Sequence, residues 1–244
     1  MIDFHSHILP NIDDGYVNME ETVELLKEAR KVGFTAIIST SHYLQNYYEY
    51  DEQERTELLE HVKQNIDNNS VGGLELYLGS EIYISPEIVK LIKEGKASTI
   101  NNSKYVLFEL PMRSKPIYVK DIIYELIENG YVPVIAHPER YSYVQEDESY
   151  AEELKSMGAL FQSNYGSIIG MYGSSAKRTL KKLLKNNLIS FLGSDVHKIG
   201  QVYPKIPKIL RKLEHLISKE KLEELTTLNA QKVIDGKDIY DSYE

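Results

Sequence analysis

Seven short runs of β-branched, aromatic and other apolar residues recur along the chain, and between them the apolar positions spread to a helical spacing. The runs are IDFH (2–5), TAIIST (35–40), LELYLGSEI (74–82), KYVLFEL (104–110), YVPVIAH (131–137), ALFQSN (159–164) and LISFLGSD (188–195). Between the first two, MEETVELLKEARKVG sets Val23, Leu25, Leu26, Ala29 and Val32 on one side of a 3.6-residue period, as an amphipathic helix requires. Strand and helix therefore alternate. This favours a parallel sheet flanked by helices, either open and doubly wound or closed as a barrel, and seven runs favour closure. Gly33, Gly130 and Gly158 fall where a helix should stop before the next strand. Residues 205–235 read as two further helices packed outside, with 236–244 an exposed tail. No internal repeat, low-complexity stretch or linker interrupts the pattern, so a single domain over 1–244 is expected.

The 244 residues, 42% hydrophobic and 27% charged, are enough to build a large core and argue against disorder. No apolar run approaches the ~20 residues that cross a bilayer, and the first residues lack the basic-then-apolar form of a signal peptide, so neither membrane insertion nor export is expected and the cytoplasm is the expected location. A net charge of -9 disfavours nonspecific attraction to nucleic acid. The absence of cysteine removes disulfides, zinc-thiolate sites and thiol nucleophiles.

Charge and composition leave the histidines as the informative residues. Of seven, five stand at or just beyond a predicted strand end: His5, His7, His42, His137 and His197. His61 and His215 lie within helical patterns flanked by charge and are expected on solvated faces. Acidic residues occupy matching strand ends, Glu81, Glu109 and Asp195. In parallel α/β folds functional groups gather at the C-terminal ends of strands. One such histidine is more often a hydrogen-bonded structural residue; five in register suggest a site. The HxH of His5 and His7 sets two imidazoles on one side of the backbone, and Asp195 with His197 repeats the spacing. Mixed imidazole and carboxylate donors suit zinc, manganese or iron, and without thiolate the site should be catalytic.

MIDFHSHILPNIDDG, STSH, LGSEIY, LFEL, VPVIAHPER and GSDVH together resemble the PHP (polymerase and histidinol phosphatase) superfamily of metal-dependent phosphoesterases. The similarity is greatest to the bacterial PHP-type protein-tyrosine phosphatases of capsule and exopolysaccharide gene clusters. It runs through essentially the whole chain. HxH alone is shared with amidohydrolases, whereas the ordered set with IDDG and AHPER is specific. The resemblance implies a distorted seven-stranded, TIM-like (β/α)7 barrel with three divalent ions, manganese first and iron or zinc as alternatives, at its C-terminal mouth. Carried over by motif, His5, His7, Glu81 and Asp195 would hold the first ion, with Glu81 bridging to a second completed by Glu109 and His137. Asp14, His42 and His197 would hold the third. Asp13 would serve as a supporting group or as an acid.

Four ligand carboxylates set against three divalent ions leave net positive charge for a hydroxide nucleophile and a phosphate ester. In-line attack on phosphorus by a metal-bridging hydroxide is the expected chemistry, with no covalent intermediate. Arg140 could clamp phosphate through two guanidinium nitrogens, or pair at the surface with Glu139 or a loop carboxylate. Tyr43, Tyr47 and Tyr48 in HYLQNYYEY could stack on a phosphotyrosine ring, or simply pack their own loop. Related phosphatases carry an arginine after the final DxH where this chain has KIGQVYPK, which leaves Lys198 or Lys205 as substitutes. The resemblance implies a tyrosine-phosphorylated protein partner, a bacterial tyrosine autokinase. The alternatives are a small-molecule phosphomonoesterase such as histidinol-phosphate phosphatase and a metal-binding regulatory module without turnover. A nuclease is disfavoured because no basic groove interleaved with aromatic residues is visible.

Overall fold

The computed structural model describes residues 1–15, 18–68 and 71–239. Its strands are β1 (Ile2–Ser6), β2 (Ala36–Ser39), β3 (His42–Tyr43), β4 (Glu75–Leu78), β5 (Glu81–Tyr83), β6 (Tyr105–Glu109), β7 (Val132–Ala136), β8 (Leu160–Asn164) and β9 (Phe191–Gly193). All the pairings are parallel, in the orders β1-β2-β4 and β3-β5-β6-β7-β8-β9. The two sheets are one curled surface. The chain passes from β2 into β3 and from β4 into β5 after two residues, and the breaks are bridged by Gly79 N–H to Ser39 O at 2.8 Å and Glu81 N–H to Thr40 O at 3.1 Å.

Each of the seven sequence runs contains strand, with two differences. The run 74–82 is broken at Gly79 and Ser80, and Gly79 packs so closely that a Cβ there would come within 2.7 Å of Ile100 Cδ1. The run 188–195 is strand only at 191–193, since Asp195 turns to a positive φ of 51°. The last strand then meets the first: Asp195 N–H donates to His5 O (2.8 Å), His7 N–H to Val196 O (3.1 Å) and Ser194 N–H to Asp3 Oδ1 (2.7 Å).

Packing follows the two-residue period of strands. Phe4, Ile38, Tyr105, Leu107, Val134 and Phe191 share one buried cluster enclosed by the curl, where Phe4 stacks on Phe191 with centroids 3.9 Å apart. Their alternates Ile37, Val106, Phe108, Ile135, Phe161 and Leu192 face the surrounding helices. Those helices include α1 (Met19–Lys31), whose N-terminus is capped by Asn18 accepting from Glu21 N–H, and α2 (Glu52–Asn68), which carries exposed His61. The crossover between β6 and β7 is α3 (Val119–Glu128), and that between β8 and β9 is α4 (Gly173–Lys185).

After β9 come α5 (Ile206–Glu214) and a helical stretch over 219–234 with one wide turn at Glu224–Leu228. Exposed His215 caps α5. The segment read as an exposed tail is in part packed: Tyr105 Oη donates to Lys237 O and accepts from Ile239 N–H, and Ile239 is buried. Residues 240–244 lie outside the described residues. No helix among the described residues is long and apolar enough to cross a membrane.

The junction of β9 with β1 leaves no room at Gly193, where a Cβ would sit 2.6 Å from His5 Cβ and 2.8 Å from His5 N. Gly193→Ala should therefore lower stability by about 1–3 kcal/mol through overpacking, read as a reduced denaturation midpoint with unchanged slope. An unchanged midpoint would mean that the junction yields freely.

Candidate metal centre

The strand ends deliver their polar residues to one mouth. His5 and His7 leave β1, where the register with β2 shifts between Asp3 and Ser6. His42 opens β3, Glu81 opens β5 and Glu109 ends β6. His137 and Asp195 lie just past β7 and β9 at φ of 34° and 51°, a left-handed backbone that costs an L-residue energy and is tolerated where the surroundings fix it. Nearly all of this is buried. His5, His7 and Glu81 are inaccessible, while Asp14 and His197 border solvent.

Glu81 is the hub. Its Oε2 lies 3.1 Å from His5 Nε2, 3.3 Å from His7 Nε2 and 3.1 Å from His42 Nδ1, yet it is buried and makes no hydrogen bond. Its Oε1 faces His137 Nε2 at 2.9 Å. The two oxygens thus address separate sets of donors. Asp195 Oδ1 completes the first set at 3.8 Å from His5 and 3.5 Å from His7. Glu109 stands 3.8 Å from His137 and 3.6 Å from His42. On the outer side Asp14 Oδ1, also without a hydrogen bond, lies 3.1 Å from His197 Nε2 and 3.4 Å from His42 Nε2.

Three groups offer donor atoms within 4.8 Å of one another: His5, His7, Glu81 and Asp195; His7, Asp14, His42 and His197; and His42, Glu81 and Glu109. Buried carboxylate oxygens that face imidazole nitrogens and lack hydrogen bonds are donor atoms suited to a cation, so these residues fit divalent metal. Electrostatics agree. Burial, and then the carboxylates of Glu81 and Asp195, push the Glu109 carboxyl well above its usual range, a cost that a cation would remove.

A second layer holds the imidazoles. Gln162 Oε1 meets His5 Nδ1 at 2.8 Å and turns Nε2 toward Glu81. Asp13 Oδ2 meets His7 Nδ1 at 2.7 Å and accepts from His42 N–H, while its Oδ1 accepts from Gly15 N–H. Asn164 Nδ2 donates to Asp195 Oδ2 at 2.7 Å. Gln162 and Asn164 were missed in the sequence, though the run ALFQSN turns wholly polar over its last three residues at the strand end, which was a usable signal. Asp13 stands behind His7 and His42 and does not border the cavity at the mouth. Its side chain is buried away from the mouth, and His7 and His42 hold its carboxyl far below the usual range against the opposing effect of burial.

The mouth opens into a cavity of about 490 Å³ bordered by Asp14, Glu109, Met112, Arg140, Tyr172 and Lys198. Arg140 Nη1 donates to Asp195 Oδ2 at 2.7 Å, and its guanidinium lies 4.6 Å from the Tyr172 ring centroid. Arg140 is therefore a rim group of the site. Glu139 is not its partner, because Glu139 is buried and accepts from Ser163, Ser167 and Asn164 N–H. Lys205 donates to Gln201 O and does not border the cavity.

The three tyrosines are placed differently, Tyr43 toward the core and Tyr47 in solvent. Tyr43 follows His42 on β3, so alternation sends its ring into the core while His42 faces the metal centre. Tyr47 is 79% exposed at the loop tip. Only Tyr48 reaches the site, stacking on His42 with centroids 5.9 Å apart.

Known proteins with this arrangement follow from the chain's similarities. Over 199 residues it is 37% identical to CapC of Staphylococcus aureus, covering 82% of this chain and 78% of that one. It is 31% identical to the tyrosine-protein phosphatase YwqE of Bacillus subtilis, covering 98% and 94%. Its structure superposes with a TM-score of 0.91 at 30% identity, over 98% of this chain and 96% of the other, on a crystal structure from work on YwqE of Bacillus subtilis and CpsB of Streptococcus pneumoniae, described as metal-dependent tyrosine phosphatases. An amidohydrolase from Mycoplasma synoviae shares the fold at a TM-score of 0.61 and 15% identity. Residues 1–235 match the family of capsular polysaccharide synthesis proteins CpsB/CapC, and the chain belongs to that family.

Proposed function

We propose that this protein hydrolyses phosphotyrosine in proteins of capsule or exopolysaccharide synthesis, with a tyrosine autokinase as its substrate in the cytoplasm. The carrying observation is Glu81, a buried carboxylate whose two oxygens face separate donor sets beneath an open, arginine-rimmed cavity. Family membership and the tyrosine phosphatases among the relatives favour this over a small-molecule phosphomonoesterase such as histidinol-phosphate phosphatase. The assignment takes the chain as a single domain and counts β2 with β3 and β4 with β5 as single bent strands, giving a distorted seven-stranded barrel.

His5, His7, Glu81 and Asp195 would hold one ion, Glu81, Glu109 and His137 a second, and Asp14, His42 and His197 a third, with manganese the first candidate. Divalent ions there would activate water for attack on phosphorus and neutralise charge on the phosphoryl oxygens. The protein's own part is positioning. Gln162 and Asp13 fix the tautomers and ring planes of His5 and His7. Arg140, anchored through Nη1 on Asp195, keeps the rest of its guanidinium for a phosphoryl oxygen at the rim. Lys198 borders the same cavity and could add a second positive charge. Tyr48 beside His42 is the aromatic group available to a substrate ring.

Removal of metal by a chelator should abolish hydrolysis of phosphotyrosine peptides while thiol reagents leave it intact, because the chain has no cysteine. Full activity in a preparation shown metal-free by elemental analysis would end the proposal. Arg140→Ala should cost about 10- to 1,000-fold in kcat/KM while metal content stays at the parental level, since Asn164 still holds Asp195. Parental kinetics would return Arg140 to a structural role. Gln162→Leu should do the reverse, weakening metal retention against a competing chelator by about 10- to 100-fold; unchanged retention would mean that the hydrogen bond to His5 is dispensable.

A further inference from the structure

Residues 177–212 carry ten lysine and arginine residues against one acidic residue, the buried Asp195, in a chain whose net charge is -9. The basic residues other than Lys198 lie on α4, on α5 and at the start of α5, the two helices that follow β8 and β9. Between the helices Lys177, Lys181, Lys212 and His215 surround a cleft of about 180 Å³ floored by Ile168 and Leu216. The three lysines are half-buried, and none forms an ion pair among the described residues. By contrast Lys182, also on α4, pairs with Glu148, and elsewhere on the surface Lys120 pairs with Glu153. Three lysines around one cleft with no carboxylate ion-paired to them make it a place where an anionic group would be favoured.

The cleft and the mouth are related along one helix. Tyr172, which borders the catalytic cavity, immediately precedes α4, and the helix runs away from the strand end. At 1.5 Å per residue, Lys177 and Lys181 lie roughly 8 and 14 Å along the helix from Tyr172. A peptide held at the mouth and extended at ~3.3 Å per residue reaches that distance in about four residues. We propose that the cleft between α4 and α5 is a docking site for acidic residues of the protein substrate, placed about four to six positions from the phosphotyrosine. The proposal rests on the phosphotyrosine reading for its substrate. The site itself is a carboxylate-binding cleft, whose binding can be measured without catalysis.

The triple variant Lys177→Gln, Lys181→Gln, Lys212→Gln is compared with the parent on three substrates: a phosphotyrosine peptide with glutamates four to six residues away, the same peptide with glutamines there, and p-nitrophenyl phosphate. KM for the acidic peptide should rise about tenfold, and the difference between the two peptides should vanish in high salt, with kcat and the other two substrates unaffected. Fluorescence anisotropy of the labelled, unphosphorylated acidic peptide gives the activity-independent readout, and its binding should weaken in parallel. Charge reversal by Lys177→Glu with Lys212→Glu should deepen the loss, while circular dichroism and the denaturation midpoint report that each variant is folded. If neither peptide is hydrolysed but the acidic one still binds through these lysines, the catalytic reading fails and the docking site stands. Equal KM values for the two peptides in the parent, or binding unchanged in the triple variant, overturn the proposal. So does lysine-dependent sedimentation with phosphatidylserine vesicles without any effect on the peptides, which would assign the face to a membrane surface.

Discussion

Four carboxylates and five imidazoles gathered within a few ångströms, most of them sealed from water, form an arrangement that a protein can hold only if something compensates its charge. Burying one unpaired carboxylate is costly, and Glu109 shows the strain in a carboxyl group driven toward its neutral form by burial and by Glu81 and Asp195. The remainder of the architecture answers this constraint. The curl of the sheet brings residues at the strand termini to one space, the left-handed turns at His137 and Asp195 aim side chains that an ordinary strand would misdirect, and Gln162, Asn164 and Asp13 hold the rings and carboxylates in orientations suited to a cation. Stability is given up at the mouth and recovered in the two apolar layers beneath it.

The parts of this design written in periodicity were readable from the chain. Strand runs and helix stops follow hydrophobic spacing and glycine placement, so the alternating fold and the strand-end positions of His5, His7, His42 and His137 could be inferred before any coordinates. The placement of Tyr43 was legible in the same way. Neighbours on a strand face opposite ways, and His42 toward the metal centre requires Tyr43 toward the core. What could not be read were relations without a period. Nothing in the sequence connects Gln162 with His5 or Tyr172 with Arg140, because those contacts join different strands and loops. The need for glycine at 79 likewise comes from Ile100, which is distant along the chain.

Arg140 illustrates how one residue joins the two levels. It anchors on a carboxylate of the candidate metal centre, rests on an aromatic ring and borders open space, so one edge of the guanidinium is held while the side chain stays partly open to the cavity. A lysine there would keep the charge and lose the flat, two-sided geometry that satisfies both neighbours at once.

The seam between β1 and β9 has a bearing on how the protein comes into being. The hydrogen bond from Ser194 to Asp3 spans 191 residues, and the donor group of His5, His7, Glu81 and Asp195 draws on both sides of that seam. At ribosomal rates of about 5–20 residues per second, His5 and His7 are exposed for roughly 10 to 40 s before Asp195 has been made. Throughout that interval the growing chain offers only a partial set of ligands, so a cation captured early would be held by residues that have not yet acquired their selectivity. Ordering the last strand against the first thus completes in one step both the closure of the sheet and the four-residue donor group.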